Sequence, residues 1–159
     1  MNSYLLMVLA LVSIPLTSSA QTNSTKTVEG SLGAISKALS ANMVGKIEIL
    51  RMPFNIETRS AVTPEGLERM FYSKIVIRDI ALMPYHGKFA QALDSTTVLP
   101  ASYSGDLRIG VIFYSQTGDR IGSLYFDRWG RHGAVNDSPV EFRGDLFRWL
   151  DNTFSRCLP

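Results

Sequence analysis

Cysteine is all but missing from this chain: Cys157, two residues from the C-terminus, is the only one in 159 residues. A lone cysteine closes no internal disulfide, so the fold has to hold without covalent staples. Cys157 is left as a free thiol, an intermolecular bridge or a small apolar residue. It is also a poor nucleophile, because a position so near a chain end lacks the fixed surroundings that depress a thiol pKa. Histidine is nearly as scarce: only His86 and His132 occur, and neither has a Cys or a second His nearby in sequence. A zinc site draws three or four nitrogen, sulfur or carboxylate ligands, so no metal is expected. Cofactor motifs are absent too. Gly30-Ser31-Leu32-Gly33 lacks the third glycine and the preceding strand of a dinucleotide loop, and no serine sits in a G-x-S-x-G elbow. Nor is there an excess of charge: 16 Lys and Arg against 14 Asp and Glu leave a formal +2, too little for a nucleic-acid footprint. The longest apolar run, Leu5 to Leu16, has about 12 residues where a membrane-spanning helix needs about 20.

What is present at the N-terminus reads as an export signal. The apolar run leads into Thr17-Ser18-Ser19-Ala20, with small residues at the −3 and −1 sites, and predicts cleavage before Gln21. The segment before the run carries no Lys or Arg, which departs from the usual pattern. No cysteine follows the small residues, so a lipid anchor is not expected, and no membrane insertion is expected after cleavage. The sequence therefore predicts a signal peptide at 1–20, a polar flexible leader at 21–30, and one domain at 31–159 that is periplasmic or secreted. Asn23-Ser24-Thr25 and Asn136-Asp137-Ser138 are glycosylation sequons, meaningful only in a cell that glycosylates its exports.

Within the domain, Leu32, Ile35, Leu39 and Met43 recur at helical spacing behind a possible cap at Ser31, with the helix ending near Gly45. Lys46 to Ile49 alternates as a half-buried strand does. Thr63-Pro64-Glu65 joins an N-cap hydroxyl, a first-turn proline and an acid at the positive helix pole, and so starts a second helix. Lys74 to Arg78 is a β-branched strand in which Lys74 or Arg78 could meet Glu48 across a strand pair. Phe89 to Leu93 suggest a short third helix, and residues 94–105 read as loop. Leu107 to Tyr114 and Ile121 to Phe126 form a hairpin about Gln116-Thr117-Gly118-Asp119. Both strands are apolar on both faces, which places them mid-sheet. A short strand follows through Ala134 and Val135 and can continue after Asn136-Asp137, extending the meander. Phe142, Leu146, Trp149, Leu150 and Phe154 then form the apolar stripe of a last helix. The expected fold is α+β: an antiparallel or mixed sheet of about 4–5 strands, ending in a β-meander, with helices packed on one face.

Arginine outnumbers lysine 11 to 5. From Asp119 onward six Arg (120, 128, 131, 143, 148, 156) face six acids, the composition of a surface laced with Arg–carboxylate pairs. The densest candidate site lies there, in Asp127-Arg128-Trp129-Gly130-Arg131-His132. Trp and Arg are enriched at interface hot spots, so Trp129, Arg131 and Arg128 are the expected binding residues. His132 with Asp127 as its orienting acid is the alternative, a catalytic base for a small extracytoplasmic hydrolase. A structural alternative has Trp129 covering the core edge and the arginines paired with Asp127, Glu141 or Asp145. Tyr85-His86-Gly87 is a lesser loop candidate. The expected function is an exported binding domain, of inhibitor or immunity type, whose partner is another extracytoplasmic protein. The rival is a structural envelope component that self-associates, through Cys157 if covalently.

Overall fold

The computed structural model describes residues 19–80 and 86–154, with side chains from Val28 onward. The bulk of the proposed signal segment, Met83 to Tyr85, and Arg156 and Cys157 lie outside the described residues. Chain order is α1 (Ser19–Ser40), β1 (Val44–Arg51), α2 (Pro64–Met70), β2 (Ser73–Ile77), α3 (His86–Asp94), β3 (Thr97–Pro100), β4 (Leu107–Ser115), β5 (Arg120–Asp127), β6 (His132–Val135), β7 (Ser138–Arg143) and α4 (Leu146–Phe154). The fold is α+β, with four helices and one antiparallel sheet of seven strands in the order β2-β1-β4-β5-β6-β7-β3. No helix among the described residues is long and apolar enough to cross a membrane.

Alternation along the strands builds two cores. Leu124 and Phe126 of β5 join Ile47, Ile49, Val111 and Phe113 in the larger core, beneath α1, α3 and α4. Tyr125 points the other way, into a smaller core with Met52, Val62, Leu67, Leu107 and Ala134. Leu67 brings α2 onto that second face, where its side chain and Tyr125 pack closely over Gly110, at 3.2–3.3 Å from where a Cβ would stand. Helices therefore cover both faces, not one, and β4 and β5 are buried mid-strands as their two-faced apolar pattern requires.

Two strands beyond the expected count come from segments containing proline. β3, inside the stretch read as loop, is a short edge strand ending at Pro100, where a missing N–H costs no ladder bond. β7 is the continuation allowed after Asn136-Asp137, but it folds back on β6 as a separate antiparallel strand through Asn136, whose φ of 54° makes the tight turn. Phe142 belongs to β7, and the last helix begins at Leu146.

At the other end, α1 begins at Ser19, so the segment read as a loose leader is helical and Ser31 lies mid-helix rather than at a cap. The buried residues Val28, Leu32, Ile35 and Leu39 carry the same stripe one turn further back. The helix stops at Ser40, and Asn42 (φ 55°) takes the left-handed position expected nearer Gly45. Gly45 lies within β1, and a Cβ there would come within 2.8 Å of the Gln116 backbone. α2 starts as read, with the Thr63 hydroxyl accepting from the Gly66 amide at 3.1 Å and Pro64 in the first turn. β2 pairs with β1 so that Glu48 faces Val76, and Lys74 reaches it diagonally at 3.7 Å.

Candidate functional site

The turn between β5 and β6 is built around one carboxylate. Asp127 is 6 % exposed, and its Oδ1 accepts from the amides of Trp129 and Arg131, both at 3.1 Å. Its carbonyl also accepts from the Gly130 amide at 3.2 Å, closing the turn. Gly130 has φ 68°, and a Cβ there would fall 2.0 Å from Phe147, so only glycine lets the turn lie against α4. The turn is thus fixed from below by α4 and from within by Asp127.

Held this way, Trp129 stands in solvent at 72 % exposure, which rules out the reading in which it covers the core edge. The Arg128 guanidinium stacks on its ring at 4.7 Å. Arg131 is exposed, and its Nε lies 3.4 Å from Glu141. His132 lies opposite Glu141 in the ladder, 40 % exposed, with Nδ1 3.5 Å from Asp127 Oδ2. The connection from β3 to β4 runs across this end of the sheet. At Gly105 (φ 82°) it comes so close that a Cβ would meet the Asp127 side chain at 2.9 Å. It sets Tyr103, 55 % exposed, over His132 with ring centroids 6.4 Å apart. Arg128 with Trp129, and Arg131, His132 and Tyr103, thus all project from or lie beside this one turn, and Asp127 is its internal strut. Tyr103 was missed in the sequence because nothing local links it to a turn some thirty residues later.

The two residues of the hydrolytic reading do lie side by side, His132 Nδ1 facing Asp127 Oδ2. Among the described residues no hydroxyl hydrogen-bonds the imidazole, so a base at this position would act on water or substrate directly. Asp127 Oδ1 is already committed to the turn amides. Among the described residues no group of three or more His, Cys, Asp or Glu is placed to hold a metal. His86 opens α3 with its Nε2 buried and, among the described residues, without a hydrogen-bond partner. Of the expected Arg–carboxylate pairs within the C-terminal stretch, Arg131–Glu141 and Arg148–Asp145 form, while Arg120 turns to Glu68 on α2.

That last pair belongs to a polar network on the α2 face that strand alternation alone did not reveal. The buried Tyr125 hydroxyl donates to Glu68 and accepts from Arg120 at 2.6 Å, and Arg120 also reaches Ser123 at 2.6 Å. Burial and the bond to Glu68 push the Tyr125 phenol up to about 12. Arg120 is held above its ordinary value, its burial outweighed by Glu68 and Tyr125. One strand over, Lys46 bonds Glu48 at 3.1 Å and lies over the Tyr114 ring at 3.7 Å. Burial raises the Glu48 carboxyl, but Lys46 and Lys74 overcome it and hold it below the usual carboxylate range. Both groups tie elements together: Glu68 locks α2 to the sheet, and Glu48 joins β1, β2 and β4.

No protein family, curated protein or solved structure was found to match the chain, so the site has to be judged on its own geometry.

Proposed function

We propose that the chain is an exported binding domain that recognises another extracytoplasmic protein through the β5–β6 turn. One observation carries this reading: a tryptophan left 72 % exposed on a turn that a buried carboxylate and a close-packed glycine hold in place. An exposed aromatic on a fixed backbone contributes large contact area with little ordering entropy to lose on association, and the flanking Arg128 and Arg131 add directional donors. Tyr103 extends the patch with a second aromatic residue. The test is capture of envelope and medium proteins from the source cell on immobilised protein, beside the Trp129→Ala, Arg131→Ala double variant. A stoichiometric partner held by the wild type and lost by the folded variant supports the proposal. A partner held equally by both removes the site assignment.

The Asp127–His132 contact supports a second reading, a small hydrolase with His132 as base. It requires an activity that His132→Ala abolishes, with a pH dependence near neutrality.

A further inference from the structure

We propose that β2 is a pairing edge, and that two copies of the chain join there through antiparallel β2 strands into one continuous sheet. The sheet order leaves two outer strands, β2 and β3. β3 has four residues and ends in Pro100, and both features blunt an edge. β2 has five residues, Ser73–Ile77, with no proline and an unbroken register against β1. Among the described residues no strand lies beyond it, so one side of its backbone ladder is open to pairing. Apolar surface collects at this edge on both faces. Ile75 and Ile77 pack against the larger core but are only half-buried, and on the other face Tyr72 is 66 % and Val76 41 % exposed.

The strand is complementary to itself. A two-fold pairing centred on Ile75 matches all five residues of β2, setting Ser73 opposite Ile77 and Lys74 opposite Val76 of the second copy. One position beyond the strand at each end it sets Tyr72 opposite Arg78 of the second copy, twice by symmetry. Arg78 is exposed and makes no ion pair among the described residues, and a tyrosine ring attracts a guanidinium over its face. Moving the two-fold by one residue loses this match. Centred on Lys74 it opposes two lysines, and centred on Val76 it opposes Lys74 to Arg78, so like charges meet in both cases. Centred on Ile75, no cation faces a cation, and Ile75 meets its own counterpart beside the larger core of each copy. Five residue pairs make a small interface, so the dimer is expected to be weak, forming at about 10–100 µM. β5 stands three strands from β2, which leaves the β5–β6 turn of each copy free.

The experiment is sedimentation velocity of the purified chain carrying Cys157→Ser, which removes any covalent dimer, from about 5 to about 500 µM. A reversible dimer should grow in with concentration. Tyr72→Lys, at an exposed position, sets a cation against Arg78 of the second copy at both ends and should weaken the dimer about tenfold. Adding Arg78→Glu to that variant should restore it. In the same background Ile75→Cys should cross-link on mild oxidation far faster than Val76→Cys, because only position 75 faces itself across the two-fold. If Ile75→Cys does not fold, Tyr72→Lys and its rescue decide alone. A monomer at every concentration, a dimer that Tyr72→Lys leaves unchanged, or cross-linking no faster from Ile75→Cys than from Val76→Cys would overturn the proposal.

Discussion

Replacing Asp127 by alanine should cost the fold about 2–4 kcal/mol. The carboxylate is 6 % exposed and accepts two backbone N–H bonds, at 3.1 Å each, from Trp129 and Arg131. Hydrogen bonds to a charged acceptor contribute about 1.5–3 kcal/mol each, and amides left unpaired at a partly exposed turn recover some of that from water. The alanine also leaves a gap beneath Gly105, which now lies against the Asp127 side chain. Asparagine keeps one oxygen for the two amides but gives up the charge and the acceptor facing His132, so Asp127→Asn should cost about 1 kcal/mol. Urea denaturation of the three proteins, fitted with a common slope, measures both differences. An alanine variant within about 0.5 kcal/mol of wild type would mean that the turn does not depend on Asp127, and the argument for a pre-formed surface would go with it.

Other perturbations probe the rest of the account. Trp149 stacks on Phe89 at 4.8 Å and meets Phe154 edge-on, so Trp149→Ala should cost about 3 kcal/mol in urea denaturation, whereas Trp129→Ala should stay within about 0.5 kcal/mol. Because the Tyr125 phenol is pushed up to about 12 in the fold, its contribution is complete below the unfolded value near 10 and is lost as pH rises from there through the folded value. Stability should therefore fall by about 2 kcal/mol across that alkaline window, and Tyr125→Phe should flatten the fall; denaturation at a series of alkaline pH values reads it directly. Arg108 is buried and, among the described residues, its Nε and Nη1 have no partner beyond the contact with Asp106, so replacing the pair together, Arg108→Met with Asp106→Asn, should be neutral or stabilising by up to about 1 kcal/mol in thermal unfolding, whereas Arg108→Met alone should destabilise by leaving Asp106 without its cation.

Local signals explain which parts of the fold the sequence revealed. Thr63-Pro64 and the Gln116–Asp119 turn act through neighbours in the chain, and both stand where read, the turn closed by Ser115 N–H to Asp119 at 2.8 Å. β3 went unread, and β7 was read only as a continuation of β6, because proline argues against a strand anywhere but at an edge or a strand start, and those positions are properties of the whole sheet. The placement of α2 on the second face was hidden for a related reason. Its buried face is short, and what it covers, Tyr125 and Gly110, is set by the central strands. In the candidate site, Trp129, Arg128, Arg131, His132 and Asp127 were legible because they are consecutive. The strut role of Asp127 and the presence of Tyr103 depend on a long-range crossing of the β3–β4 connection, which no local pattern records.

The central claim is that Trp129 is exposed for recognition, and it is tested most directly by titrating the captured partner, once purified, against wild type and Trp129→Ala. The account predicts a loss of about 2 kcal/mol or more, about 30-fold in Kd, with the urea midpoint unchanged. Equal affinity of the two proteins for that partner would contradict it.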